Sequence, residues 1–282
     1  MWLRKLSAFI LFSSIFIALC AVGLCIETNI LLGVPLNNFS FYCFVFGATL
    51  VQYNLHYLMK KVAVPNSERL RWSQRNRTIH VIFLLTGILL ILFSFFSFYL
   101  EHFVILALLG CIAILYSFPF LPFGEKRRIK DYGFLKIITL ALLWTLVTVW
   151  FPANRWQTDP GLFTLVLAKR FVFMFVLCLM FDVRDIEIDS KEHINTLAVI
   201  LGKKKSYLLS YILLLLFVAL SFLQYYYLPQ MNFLIAMIVS AIATWITIEI
   251  TKKNNSDFIY LAGIDGMMLL QALLVYLFSF KL

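Results

Sequence analysis

Nine apolar runs, each about as long as a bilayer is thick, follow one another along this 282-residue chain with only short polar connections between them. A helix rising about 1.5 Å per residue needs about 20 apolar residues to cross a hydrocarbon core of roughly 30 Å. The runs lie near 6 to 26, 39 to 59, 80 to 100, 103 to 120, 132 to 151, 161 to 181, 206 to 227, 231 to 250 and 258 to 280. The fold class this predicts is all-α, a polytopic membrane protein with nine transmembrane helices. Hydrophobic residues make up 62% of the chain, against about 45–50% in soluble domains, which excludes a soluble globular fold. The connections are too short to house a separate soluble unit, so 1–282 reads as a single transmembrane domain. Arg4 and Lys5 give the first run the look of a signal peptide, but it is long and has no clear small-residue cleavage site before Glu27. It is kept as the first span.

Basic residues gather in alternate connections. Lys60, Lys61, Arg69, Arg71, Arg75 and Arg77 separate the second and third runs, and Lys126, Arg127, Arg128 and Lys130 the fourth and fifth. Lys191 and Lys203 to Lys205 follow the sixth run, and Lys252 and Lys253 the eighth. The connections around Glu27 to Asn38, Glu101 to His102 and Tyr225 to Asn232 carry no Lys or Arg. The positive-inside rule then puts the N-terminus and the basic connections in the cytoplasm and the C-terminus outside. The expected location is a bacterial inner membrane. Topology and contact with anionic headgroups of the lipid bilayer account for the net charge of +10, so no nucleic acid partner is needed.

One stretch breaks the apolar pattern with chemistry. Phe181 to Gly202 reads FDVRDIEIDSKEHINTLAVILG and follows directly on the sixth run. On a helix Asp182, Asp185 and Asp189 stand at i, i+3 and i+7, within about 60° of one another, while Arg184 and Glu187 point elsewhere. Like charges at that spacing repel, so a cation is expected between them. Mg2+ fits, because it takes oxygen ligands and is usually held by one or two carboxylates with substrate phosphates. The alternative is a solvated acidic loop that caps the span.

The string DVRDIEID, followed by Lys191, Thr196-Leu197-Ala198 and Leu201-Gly202, resembles the second aspartate-rich motif of the UbiA superfamily of intramembrane prenyltransferases. Leu115-Tyr116-Ser117, then Lys126 to Lys130 and Gly133 to Lys136, is similar to that family's tyrosine and basic connection between its fourth and fifth helices. The resemblance implies nine helices around a central cavity open to lipid. It also implies Mg2+ as cofactor, an isoprenyl diphosphate as donor and an aromatic or lipid-soluble acceptor. Carried over residue by residue, Asp182, Asp185 and Asp189 would be the catalytic, metal-holding carboxylates. Asn54, Tyr116, Ser117, Lys130 and Arg184 would bind substrate.

The first motif departs from the family pattern. Where an Asn is followed by Asp at the fourth and eighth positions beyond it, this chain has Asn54 but then Leu58 and Val62. Two readings follow. Either Lys60, Lys61, Arg69 or Arg71 replaces one metal and the diphosphate leaves on a single Mg2+, or the chain is a non-catalytic isoprenoid-binding or membrane assembly protein.

Other polar residues stand inside the runs. Lys169 and Arg170 lie about 18 Å along the helix from Asp182, too far for one diphosphate, which leaves an acceptor-site or structural role. Asp265, flanked by Gly263 and Gly266, is expected at the cytoplasmic mouth of the cavity, functional or structural. His80, His102 and His193 lie near span ends, where ordinary solvation is expected, and His56 reads as a packed or interfacial residue. The five cysteines, Cys20, Cys25, Cys43, Cys111 and Cys178, show neither disulfide nor zinc spacing.

Overall fold

The computed structural model describes residues 2–59, 67–98, 100–117, 133–153 and 158–280. Among them there is helix and no strand. In chain order the helices are α1 (Trp2–Phe12), α2 (Ile15–Leu31), α3 (Phe39–Met59), α4 (Glu68–Arg75), α5 (Arg77–Phe95), α6 (Leu100–Ser117), α7 (Gly133–Thr145), α8 (Phe151–Ala153), α9 (Pro160–Lys191), α10 (Leu197–Tyr227), α11 (Met231–Lys253) and α12 (Gly266–Ser279). Wide π-helical turns at Leu146–Trp150 and Ile259–Ile264 join α7 to α8 and precede α12. Among the described residues six helices are long and apolar enough to cross a membrane, and seven if the bent pair α1 and α2 counts as one span. The chain is an integral membrane protein.

The first span is broken where a continuous run was expected. α1 and α2 meet at 61° across Ser13 and Ser14, and Ser14 takes a left-handed φ of 72°. Both serines are fully buried. A different cause widens the turn before α8. Pro152 has no N–H to give the carbonyl one turn back, and the Thr148 carbonyl accepts the Thr28 hydroxyl of α2 instead, at 2.6 Å.

The backbones approach most closely where a side chain is missing. Gly47 on α3 and Gly87 on α5 face each other, and a methyl group on Gly87 would fall 2.6 Å from the Gly47 carbonyl oxygen. Small residues at such a crossing let membrane helices pack by dispersion. α9 packs between α7 and α10, and α2 against α12. The apolar core therefore centres on α9, with Phe173, Met174 and Leu177 almost fully enclosed.

α9 is 32 residues long, about 48 Å at the helical rise. Asp159 caps it, accepting the Leu162 N–H at 2.7 Å, and Pro160 opens it. It outruns a core of roughly 30 Å, so its last turns carry the aspartate motif out of the hydrocarbon as helix. The acidic stretch is thus no loop.

Candidate functional site

Three elements assemble around the end of α9. The chain turns after Lys191 through His193, whose φ is 55°, and Ile194 N–H donates back to the Asp189 carbonyl at 2.8 Å. Thr196 caps α10 by accepting from Val199 N–H at 3.3 Å. α7 begins against this turn. A methyl group at Gly133 would fall 1.6 Å from the Asn195 carbonyl oxygen, so only glycine seats there.

That seat brings Lys136, one turn further on, over the aspartate motif. Its ammonium lies 2.8 Å from Asp182 Oδ1 and 3.4 Å from Asp189 Oδ2. Between two of the three carboxylates, Asp182 and Asp189, the cation in place is the Lys136 ammonium. Asp185 turns to another partner. Arg184 grips it with two parallel bonds, Nε to Oδ1 at 2.8 Å and Nη2 to Oδ2 at 3.0 Å. Arg184 was expected to point away from the aspartates, and it pairs with one of them. Its guanidinium lies 4.9 Å from the centre of the Phe181 ring and 5.4 Å from that of Tyr260, a position that favours a cation.

The facing side is built from α3, α4 and the break in the first span. Asn54 is fully buried. Its amide donates to the Leu50 and Ser13 carbonyls, at 2.8 and 3.3 Å, and its oxygen lies 2.6 Å from His80 Nδ1. Since the amide nitrogen serves two carbonyls, the Asn54 oxygen is the acceptor and His80 Nδ1 the donor. His80 is thus enclosed, stacked on Tyr57, where solvation was expected. His102 is buried as well, among Phe98, Phe41 and Phe151. Leu58 stands half-buried on α3.

Arg69 on α4 reaches into this side. One terminal nitrogen is 3.3 Å from Ser14 Oγ, the guanidinium lies 4.3 Å over the Tyr57 ring, and Nε is buried without a partner. Asp257, just before the second π-helical turn, ties the two sides together. Its Oδ2 accepts the Arg69 N–H at 2.8 Å and its Oδ1 stands 3.6 Å from Arg184 Nη1. Asp265 follows directly after the second π-helical turn, within the fields of Arg69 and Arg184.

Tyr116 and Ser117 are the last residues of α6. Lys130 lies outside the described residues, as do Lys60, Lys61, Val62, Lys126, Arg127 and Arg128. Lys169 and Arg170 sit far from the aspartates, in a separate buried cluster. Arg170 Nη2 is 3.1 Å from Glu27 Oε2, and Lys169 Nζ donates to Gln224 Oε1. Glu27, expected in an outer connection, is enclosed near the end of α2.

Among the described residues no three His, Cys, Asp or Glu side chains converge into a metal cage. Mg2+ asks for less, because it keeps several waters and is satisfied by one or two carboxylates with a substrate phosphate. The motif fits that requirement: Asp182 Oδ2 is buried and has no hydrogen-bond partner, so a carboxylate oxygen is left over after Lys136 is served.

The UbiA prenyltransferase family model matches residues 71–262. No curated protein sequence matches the chain. Several solved structures share its fold. A structure of digeranylgeranylglyceryl phosphate synthase superposes with a TM-score of 0.58 at 16% identity, over 99% of this chain and 100% of that one. A UbiA homologue from Archaeoglobus fulgidus bound to GPP and Mg2+ gives 0.58 at 14% identity, over 97% and 99%. A structure of a UbiA homologue from the same organism bound to Cd2+ gives 0.57 at 13% identity, over 97% and 99%. At these identities the likeness establishes the fold. The family match is in the sequence itself and runs from α4 through the aspartate motif to the π-helical turn before Asp265, so the chain belongs to the UbiA prenyltransferase family.

Proposed function

We propose that the protein transfers an isoprenyl group from its diphosphate to an aromatic or lipid-soluble acceptor, within the cytoplasmic half of a bacterial inner membrane. The observation that carries this reading is the cluster at the end of α9, where Asp182 and Asp189 share Lys136 and one buried Asp182 oxygen stays unpartnered. The solved relative bound to GPP and Mg2+ supports the same donor class and metal. Nine spans with the N-terminus cytoplasmic, in one domain, complete the proposal. α3 and α6 then join the seven spans counted above.

Asp182, Asp185 and Asp189 would hold Mg2+, which when bound helps to neutralise the departing diphosphate. The chain's own groups do the rest. As the carbon to oxygen bond opens, negative charge gathers on the diphosphate, and donors fixed in advance stabilise it without reorganising. Lys136 supplies fixed positive charge on the α9 side, with the Arg184 guanidinium beside it. Arg69 does so on the side where Leu58 leaves no carboxylate, and its unpartnered Nε is a donor held ready. Arg69 would thus stand in for the missing carboxylate clamp, and the α9 aspartates would hold a single Mg2+. Asn54 braces this side through Ser13 and His80, and Tyr116, Ser117 and Lys130 contact the diphosphate.

The test is magnesium-dependent release of pyrophosphate by the purified protein in lipid, offered isoprenyl diphosphates of several lengths and a panel of acceptors. Release that Asp185→Ala abolishes is the expected result. Leu58 also motivates a second reading, a non-catalytic isoprenoid-binding or assembly protein. Silence across the panel with isoprenoid binding retained selects it.

A further inference from the structure

Asp185 has a difficulty that Asp182 does not share. Both of its oxygens are taken by Arg184, and a carboxylate so gripped is a poor metal ligand until the guanidinium lets go. Arg184 is mostly enclosed, so releasing Asp185 would strand a cation unless another acceptor stands within reach. One does. Asp257 Oδ1 is 3.6 Å from Arg184 Nη1, beyond a good hydrogen bond and close enough for a small rotation to make one. Asp257 cannot drift away meanwhile, because its other oxygen accepts the Arg69 N–H in the first turn of α4.

We infer that Asp257 is a positioning residue that receives Arg184 when Asp185 turns to a divalent cation. The reading rests on the metal-assisted function proposed above. Arg184 has two stations, the Asp185 carboxylate with the cation site empty and the Asp257 carboxylate with it filled. The Phe181 and Tyr260 rings hold the guanidinium between the two. Asp265 is a further carboxylate within the field of Arg184, but Asp257 is the one in ion-pair contact. In either station the same carboxylate keeps its bond to α4. Filling the cation site therefore tightens the link between the aspartate motif and the helix that carries Arg69.

The experiment is a titration of the full chain in lipid nanodiscs with Mn2+, followed by its electron paramagnetic resonance signal, with inorganic pyrophosphate present. Asp257→Asn keeps an oxygen for the Arg69 N–H but gives up the charge that receives Arg184, and is expected to weaken Mn2+ binding about tenfold. Arg184→Gln removes the competitor for Asp185 and is expected to tighten it. In the Arg184→Gln background, Asp257→Asn should then have no effect, a dependence that mere damage to packing does not produce. Unchanged Mn2+ binding in Asp257→Asn overturns the inference, as does a loss that persists without Arg184, or one found in Asp265→Asn instead. Absence of Mn2+ binding by the wild-type protein with pyrophosphate overturns the proposed function and this inference together.

Discussion

Two buried charge clusters share helix α9, about 18 Å apart by the helical rise, and they handle charge differently. In the first, nearer the start of α9, Arg170 pairs with Glu27, and Lys169 is held by Gln224 and lies 5.7 Å from the Phe217 ring. In the aspartate cluster one lysine serves two aspartates and one arginine stands between two more. Cations outnumber carboxylates in the first, and carboxylates outnumber cations in the second. Lys169 and Arg170 are both only 3% exposed, whereas the Lys136 side chain keeps 23% of its exposure. A buried charge in a membrane protein is therefore a weak sign of a site. Carboxylate left in excess where solvent reaches is the stronger one.

The contrast can be broken by substitution. Asp182→Asn is expected to cut pyrophosphate release about a thousandfold while leaving thermal stability in lipid nearly unchanged, because Lys136 keeps Asp189. A large fall in melting temperature would make the aspartate cluster structural as well. Glu27→Gln should do the reverse, destabilising the protein by about 3–5 kcal/mol because Arg170 is left enclosed and uncompensated. Turnover per folded molecule should stay at the wild-type level, measured with the same release assay.

Two smaller effects sharpen it. Lys136→Gln removes the ammonium that competes for Asp182 and Asp189, and Mn2+ should bind about tenfold more tightly, a gain of about 1.4 kcal/mol. Weaker Mn2+ binding would mean that Lys136 aligns the carboxylates rather than occupying them. Lys169→Met takes one cation from a cluster with one too many. Its stability should change by less than about 1 kcal/mol or rise, as apolar replacements of buried charges often do, read from unfolding in the same lipid.

Much of this was legible in the sequence, and the failures share a cause. Run lengths located the six described helices long and apolar enough to cross a membrane, because the bilayer sets a least length for each. The spacing of Asp182, Asp185 and Asp189 called for a cation because helical geometry is local. Local spacing could not name Lys136 as part of that cation, since it comes from another span, nor Asp257, which lies 73 positions after Arg184. His80 was misread for the same reason. Its place near a run's end pointed to solvent, and only the packing of α3 on α5 shows that Asn54 encloses it. The break at Ser13 and Ser14 has neither glycine nor proline at the bend, and two serines within an apolar run are too slight a signal to place it.

The fit at Gly133 restricts how the protein can move. With no room for even a methyl group between the start of α7 and the turn at Asn195, these two pieces cannot slide past one another. Lys136 and the aspartates travel as one rigid body. For the proposed transfer, the breathing that admits a donor or frees a product is then left to the opposite wall, where α4 is moored through Asp257 and Ser14. In the proposed transfer the moving part thus belongs to the basic side of the site, and the acidic side is the fixed frame against which it works.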